Sequence, residues 1–299
     1  MSFRADSLGL AGSITVILRD LVHEHLGIYY QDTDFSQLAD RLAPLVIARG
    51  LGSFMDYYYL LKYEHDPDEW LRVMDALSVQ ETYFCREIDQ LRAVVDTIVP
   101  SLVEMNPSAP LRFWSAPCAT GEEPLTLAML LDQAGWFSKA SVEIVGSDAS
   151  GAAIAKARQG RYGARSFRNM PPALRDRYFT SVGENMWAID PDLHRRVVFD
   201  VVNLMDAEAV RSHASVPVVL CRNVFIYFSD RSILRTVSEL ANAMTRPGYL
   251  CLGTSESLLR LNTPFELREM GGAFVYVLGE GRQRQTDAAP VRMGLQVRR

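Results

Sequence analysis

The pattern of apolar positions divides the chain into a first part with helical spacing and a second part with short apolar runs. From Ser13 to about residue 80, apolar residues recur every three to four positions, which predicts amphipathic helices. From residue 111 onward, short apolar runs bounded by turn residues alternate with helical segments, which predicts buried strands. We therefore predict an all-α N-terminal domain over 1–80, a linker helix within 81–110, and an α/β domain over 111–280.

The N-terminal part carries clear helix boundaries and no cluster of catalytic side chains. The segment 66–69 combines Asp66, Pro67 and two further acids, a strong helix start because aspartate caps and proline suits the first turn. A second helix is expected over 34–49, since Gly50 and Gly52 follow it directly. This part is expected to act as a packed helical cap or as a docking module.

The second part alternates strands with helices, which favours a doubly wound α/β sheet. Residues 178–202 alternate around Gly183, Glu184 and Asn185, so we predict an inserted β hairpin there. The preceding segment 160–180 is basic and is interpreted as irregular and solvated. Another buried strand is expected to begin the run 216–228 and to end near Arg222. The polar segment 281–299 is predicted to be a disordered tail.

A strand, a glycine turn and a helix over residues 111–131 organise the second part. Thr120 is the predicted helix N-cap, and Glu122, Glu123 and Pro124 follow it in the first turn. Such a unit places its ligand beyond the carboxyl end of the strand. Two carboxylates there repel a pyrophosphate and attract a cation, which favours S-adenosylmethionine over a dinucleotide. The alternative is an ordinary turn whose acids are solvated.

Polar residues follow other predicted strands at the same edge of the sheet. Asp148 lies 27 residues after Gly121, at the position where an acid accepts bonds from ribose hydroxyls in nucleotide-binding units. NAD enzymes and methyltransferases share this feature, and Asp148 can also cap the next helix. Asn203 is a candidate for the edge of an adenine, and Arg222 with Asn223 ends a further strand.

Composition excludes several other classes of function. A net charge of −5 does not favour broad binding to nucleic acid. The four cysteines are far apart and the five histidines lack ligand spacing, so we predict neither a disulfide framework nor a metal site. The chain shows no leader and no apolar run of 18 residues, so we expect a cytoplasmic protein without membrane insertion.

Four motifs in fixed order resemble those of the CheR-type chemotaxis receptor glutamate methyltransferases. They are ETYFCRE at 81–87, SAPCATGEEP at 115–124, CRNVFIYF at 221–228 and GTSES at 253–257. The resemblance covers about residues 13–280 and rests on the ordered set. It implies an S-adenosylmethionine-dependent protein-glutamate O-methyltransferase with an all-α N-terminal domain and a Rossmann-like domain that contains a small β insertion.

The resemblance also implies roles for individual residues, matched by motif position. Cofactor contacts are implied for Gln80, Thr82, Arg86, Glu122, Glu123, Asp148, Asn203, Leu204, Arg222 and Asn223. Arg86 and Tyr227 are the implied catalytic residues, and S-adenosylhomocysteine is the implied product.

The implied partners are the cytoplasmic helices of a chemoreceptor or a similar signalling protein. Because segment 34–49 holds only Arg41 and Arg49 as basic residues, a divergent partner is expected. We expect a monomer.

The implied reaction is an in-line attack of a target glutamate on the methyl carbon of the sulfonium. A glutamate has a reference pKa of about 4.3, so it is already an anion and needs no general base. Tyr83, Trp114 or Tyr227 are candidates to face the sulfonium. The rivals are a methyltransferase that acts on a small molecule or RNA, and a cofactor-binding signalling scaffold. An NAD-dependent oxidoreductase is disfavoured by the acidic turn.

Overall fold

The computed structural model of the protein describes residues 12–64 and 66–279, which form a helical part and an α/β part. The helical part contains α1 (Gly12–Leu26), α2 (Phe35–Ala48), α3 (Phe54–Tyr63) and α4 (Pro67–Leu77). The predicted tail over 281–299 lies outside the described residues. Within residues 12–64 and 66–279, no helix combines the length and apolarity needed to cross a membrane.

The helices of the first part begin where capping residues satisfy their free N–H groups. The Asp66 carboxylate accepts bonds from the N–H groups of Asp68 and Glu69, and Pro67 occupies the first helical position, as predicted. The four helices then bury a common apolar core, which includes Leu18, Val22, Leu38, Leu42, Val46, Phe54, Tyr57, Leu61, Val73 and Leu77. The prediction of an all-α N-terminal part is confirmed.

A continuous helical stretch leads from the first part to the second. It consists of α5 (Ile88–Ala93), a π-helical segment (Val94–Ile98) and α6 (Val99–Met105). Its buried face packs in the same core as the first strand of the sheet. The stretch therefore anchors segment 81–87, which precedes it, against the α/β part.

The α/β part is built on a seven-stranded sheet that contains both parallel and antiparallel pairs. In chain order its elements are β1 (Leu111–Ser115), α7 (Glu122–Gln133), α8 (Trp136–Lys139), β2 (Val142–Asp148), α9 (Gly151–Gln159), β3 (Arg161–Gly163), α10 (Pro172–Tyr178), β4 (Phe179–Gly183), β5 (Met186–Ile189), α11 (Pro191–His194), β6 (Val197–Val201), α12 (Ala207–His213), β7 (Val218–Leu220), α13 (Asp230–Ala243), β8 (Gly248–Cys251), β9 (Glu266–Met270) and β10 (Ala273–Leu278). The strand order is β6-β2-β1-β7-β8-β10-β9, and the first five strands are parallel. The predicted α/β fold class is confirmed, and the carboxyl ends of β1, β2, β6 and β7 meet at one edge.

The inserted β unit differs from the predicted hairpin over 178–202. The strands β4 and β5 form the hairpin, but β3 pairs with β5 as a third strand. β6, inside the predicted range, belongs to the main sheet because its Val197 and Phe199 bury against the core beside β2. Segment 160–180, predicted to be irregular, contains β3, a 3-10 turn and α10.

The strand predicted to begin the run 216–228 is only three residues long. β7 ends at Leu220, and the chain turns away at Asn223, which adopts a left-handed conformation with φ of 62°. Residues Phe225–Tyr227 then form one 3-10 turn. The loop after β7 is thus a compact turn at the carboxyl edge of the sheet.

The end of α1 contacts that turn directly. Ile28 forms an isolated bridge with Phe228, and the N–H of Tyr29 donates to the carbonyl of Tyr227 at 2.8 Å. Gly27 makes the approach feasible, since its φ is +77° and an added Cβ would lie 2.7 Å from the Phe228 ring. The first part therefore closes over the edge of the sheet at this glycine.

The substitution Gly27→Ala is expected to lower the free energy of unfolding more than Gly50→Ala does. Both glycines have positive φ, so each alanine costs about 1–2 kcal/mol of backbone strain. Only Gly27→Ala also forces atoms into Phe228 and Met205, which adds about 1–3 kcal/mol. Chemical denaturation of both variants checks this, with Gly50→Ala as the matched control. Equal losses of unfolding free energy would contradict the contact.

Candidate functional site

Two adjoining cavities lie at the carboxyl edge of the sheet. The larger, about 430 Å³, opens between the helical part and the α/β part, and the smaller, about 60 Å³, lies against the turn between β1 and α7. Val79, Pro117, Asp148 and Asn223 line both cavities. The two cavities thus form one elongated site that runs across the ends of β1, β2 and β7.

The turn between β1 and α7 is tight because Gly121 adopts a φ of 95° and serves as the N-cap of α7. An added Cβ there would lie 3.0 Å from the ring of Phe199 and 3.1 Å from Ala157. Thr120, the predicted N-cap, does not cap the helix; its hydroxyl donates to the carboxylate of Glu122 at 2.6 Å. The correction follows from Gly121, whose conformation begins the helix one residue later.

The two glutamates that open α7 face different surroundings. Glu123 lines the smaller cavity, where its carboxylate accepts a bond from Ser115 at 2.7 Å and pairs with Arg222 at 3.1 Å. Glu122 lines neither cavity: it is 2% exposed and accepts a bond from Ser166 of the β insertion at 2.9 Å. Successive helical residues point in directions about 100° apart, so only one of the pair faces the cavity.

Burial gives the acids of the site a high affinity for protons or for other cations. It raises the pKa of Glu123, although Arg222 opposes the shift. It also raises the pKa of Asp148, against the opposing bonds from the N–H groups of Ser150 and Ala119. A ligand that places a cation beside Glu123 would stabilise the ionised carboxylate, so this end of the site favours cationic groups.

Arg222 is the buried cation of the site, with a side chain only 1% exposed. Its Nη2 donates to the carbonyl of Arg86 at 2.8 Å and lies 3.2 Å from the carboxylate of Glu87, while Nη1 pairs with Glu123. Burial would raise the pKa of Glu87, but Arg222 and the N–H of Thr254 bring that pKa below its ordinary value. Arg222 Nε is buried without a hydrogen-bond partner among the described residues.

Asp148 and Asn203 have side chains that the protein already orients. Asp148 Oδ2 accepts the N–H of Ala119 at 2.9 Å and Oδ1 accepts the N–H of Ser150 at 2.8 Å. Asn203 donates to the carbonyl of His25 at 2.6 Å and accepts the N–H of Met205 at 3.0 Å. Each carboxylate oxygen of Asp148 can accept a second bond, so this acid remains available to hydroxyl groups.

The other predicted contacts divide between the two cavities. Thr82, Arg86 and Arg222 line the smaller cavity, and Asn203, Leu204 and Tyr227 line the larger one. Gln80 lines neither, because its amide binds Ser150 at 3.1 Å and Lys156 at 3.3 Å.

Of the three aromatic candidates, two lie at the site. Tyr83 lines the smaller cavity with the guanidinium of Arg168 3.7 Å from its ring centre, and Tyr227 lines the larger cavity. The expectation for Trp114 is wrong. Its side chain is fully buried, lines neither cavity and donates to Ser147 at 2.9 Å.

Sequence reasoning assigned no site residue to the helical part, yet that part supplies one wall of the larger cavity. Tyr29, Tyr30, Asp34 and Arg41 line it, and so does Ser78, whose buried hydroxyl has no protein partner. Helical periodicity shows which face of a helix is apolar. It does not show which loop or polar face meets another domain, so no signal in the sequence identified these residues.

Comparison with known families gives matches along most of the chain. Residues 17–78 match the CheR methyltransferase all-alpha domain, and residues 80–273 match the CheR methyltransferase SAM binding domain. The boundary between the matches falls at residue 79, whose side chain lines both cavities.

Curated relatives agree with these family matches. "Chemotaxis protein methyltransferase 2" of Vibrio cholerae is 31% identical over 84% of this chain and 87% of its own. "Chemotaxis protein methyltransferase 1" of Pseudomonas aeruginosa is 32% identical over 68% of this chain and 76% of its own. "Probable biofilm formation methyltransferase WspC" of Pseudomonas putida is 29% identical over 90% of this chain and 62% of its own.

The acids of the site fit the ammonium and ribose of S-adenosylmethionine, and the two family models cover the helical part and the α/β part in order. The chain therefore belongs to the CheR methyltransferase family and is an S-adenosylmethionine-dependent protein methyltransferase.

Proposed function

We propose that this protein transfers the methyl group of S-adenosylmethionine to glutamate side chains of a chemoreceptor-like signalling protein. The observation that carries the proposal is the elongated site, with Glu123 in its smaller cavity, Asp148 at the junction and Tyr227 in the larger, more open cavity. Relatives named chemotaxis protein methyltransferases support the class of acceptor. The products are glutamyl methyl esters and S-adenosylhomocysteine.

The charges of the site support one orientation of the cofactor. Glu123 would hold the methionyl ammonium, and Arg86, which lines the same small cavity, would hold the carboxylate. Asp148 would accept bonds from the ribose hydroxyls at the junction. Asn203 and Leu204 would border the adenine in the larger cavity, so the reactive sulfonium would lie near Asn223.

The residues of the protein would act by alignment and not by proton transfer. In the proposed step, an acceptor oxygen forms a bond to the methyl carbon while the carbon–sulfur bond breaks and its electron pair passes to sulfur. A carboxylate anion and a sulfonium become a neutral ester and a neutral thioether, so exclusion of water favours the reaction. Arg86 and Tyr227 would border the reacting centre from the two cavities, where positioning can supply about 7–11 kcal/mol.

The wall supplied by the helical part would meet the acceptor. Tyr29, Asp34 and Arg41 line the larger cavity from the helical part, and Tyr227 lines it from the loop after β7. A wall with one acid and one arginine does not select strongly for an acidic helix. This mixed charge supports a divergent receptor, and the biofilm-related relative supports a different signalling protein as the second candidate.

The substitution Glu123→Gln is expected to weaken binding of S-adenosylhomocysteine about tenfold or more, since a bond from a cation to a carboxylate contributes about 1.5–3 kcal/mol. Glu122→Gln makes the same chemical change one residue earlier, on a side chain that faces the β insertion, and is expected to change the affinity less than about threefold. Titration calorimetry on both folded variants measures the difference. Equal losses would contradict the role of Glu123.

Methyl transfer to receptor-containing membranes of the source organism tests the acceptor. With labelled S-adenosylmethionine, we expect label on a receptor band that alkali removes, because carboxyl methyl esters are alkali-labile. Asp148→Ala protein serves as the control and is expected to transfer little label at limiting cofactor. Alkali-stable label would mean a different acceptor chemistry. No label, with S-adenosylhomocysteine binding intact, would favour a signalling scaffold.

A further inference from the structure

The cofactor and acceptor assignments give no role to the fourth motif, GTSES at 253–257. It follows β8, while the loop that carries Asn223 and Tyr227 follows the neighbouring strand β7. Glu256 lines a separate groove on the other side of that loop, together with Glu87 and Thr254. Its side chain is partly buried and reaches from one loop to the other.

The carboxylate of Glu256 accepts three backbone N–H groups. Oε2 accepts the N–H of Asn223 at 2.7 Å and that of Gly253 at 2.7 Å, and Oε1 accepts the N–H of Phe225 at 2.6 Å. Bonds from N–H groups to an ionised acceptor are about twice as strong as neutral ones. One side chain therefore joins the ends of two strands through the main chain alone.

The geometry of the loop explains why it depends on an acid at this position. Asn223 has a φ of 62° and lies past the end of β7, so its N–H is not in the strand ladder. Gly253 leaves room on the opposite side, since an added Cβ would lie 2.4 Å from Asn223 Nδ2 and 2.9 Å from Glu256 Oε2 and would displace these side chains. The glycine and the acid of the motif thus act together on the same loop residue.

The loop held in this way contributes more side chains to the site than any other loop after a described strand. Asn223 lines both cavities, and Val224, Ile226, Tyr227 and Phe228 line the larger one. The carboxylate of Glu87 contacts the same two loops, through the N–H of Thr254 at 3.0 Å and the amide of Asn223 at 3.4 Å. Displacement of the loop would therefore move both the junction of the cavities and Tyr227.

We propose that Glu256 is a positioning residue, whose carboxylate accepts two backbone N–H groups of loop 223–228 and that of Gly253, and so fixes the loop in the conformation that binds the cofactor and presents Tyr227. Glu256 lines neither cavity of the site, so it acts through the loop and does not touch the cofactor. The proposal rests on cofactor binding by the family fold and is independent of the identity of the acceptor.

A glutamine at position 256 is the informative substitution. It has nearly the same shape, but one of its oxygens is replaced by an NH₂ group that cannot accept a bond. Whichever way the amide turns, it places a donor against at least one N–H of Asn223, Gly253 or Phe225. The loop then loses its bond from Asn223 or its bond from Phe225, while the core around it is unchanged.

Hydrogen–deuterium exchange and S-adenosylhomocysteine affinity, measured on the full chain, test the proposal. In Glu256→Gln protein we expect peptides that cover 223–228 to exchange at least about tenfold faster, while peptides from β1 and β2 keep the wild-type rate. The Kd for S-adenosylhomocysteine is expected to rise about tenfold. Glu269→Gln, which removes an exposed acid of β9, is the matched control and is expected to leave both values unchanged.

Two outcomes would overturn the proposal. One is wild-type exchange in 223–228 in Glu256→Gln protein, which would mean that the three bonds do not hold the loop. The other is faster exchange with unchanged affinity, which would mean that the loop conformation does not matter for the cofactor. Glu256→Ala, which removes all three acceptors, is expected to show a larger effect on both readouts. Because neither readout needs an acceptor, failure here is distinct from failure of the proposed methyl transfer.

Discussion

The site depends on the neutralisation of one buried guanidinium, that of Arg222. This side chain stands at the carboxyl end of β7 and contacts Glu123 on α7 and the carbonyl of Arg86 and carboxylate of Glu87 in the segment before α5. A buried charge that loses a partner costs about 3–5 kcal/mol, so these segments are stable only when they meet. Three sequence motifs that lie far apart in the chain converge on this one cation.

The same ion pairs set the properties of the ligand site. Burial raises the pKa of Glu123 and Arg222 opposes that rise, while the carboxylate stays at the wall of the smaller cavity. Glu87 extends the network to Thr254 and Asn223, where Glu256 continues it through backbone bonds. The charges that hold these segments together and the charge that would meet the ligand therefore belong to one network. In this network Arg222 is buried, and Glu123 faces the ligand.

The helical part completes this arrangement from outside the sheet. Its α1 ends at Gly27 against Phe228, and Asp75 of α4 accepts a bond from Ser150 at 2.6 Å, two residues after Asp148. The helical part is therefore in contact with the loop after β7 and with the segment after β2. We infer that motion between the two parts would change the affinity for cofactor as well as access for the acceptor.

Local signals in the sequence predict the main helices and strands and most of the polar residues at the strand ends. Short stretches of sequence encode three of these features: the cap at Asp66, the glycine turn before α7 and the acid at the end of β2. The sequence does not show which of Glu122 and Glu123 faces the cavity. That depends on Gly121, which makes the helix begin one residue later than predicted.

Other features depend on contacts between distant segments. The three-residue strand β3 forms only by pairing with β5, and Trp114 is buried in the core without lining either cavity. The wall from the helical part depends on how two domains dock. These features arise from tertiary packing, on which a single sequence carries no direct signal.

The affinity of Arg222→Lys protein for S-adenosylhomocysteine is the most direct test of the Arg222 network. Lysine keeps the positive charge but replaces the planar fork with a single ammonium, which does not reach Glu87, Glu123 and the Arg86 carbonyl in the same geometry. We predict a folded protein with reduced unfolding free energy and a Kd raised about tenfold or more. A variant with wild-type affinity would show that the site does not depend on the geometry of the Arg222 network.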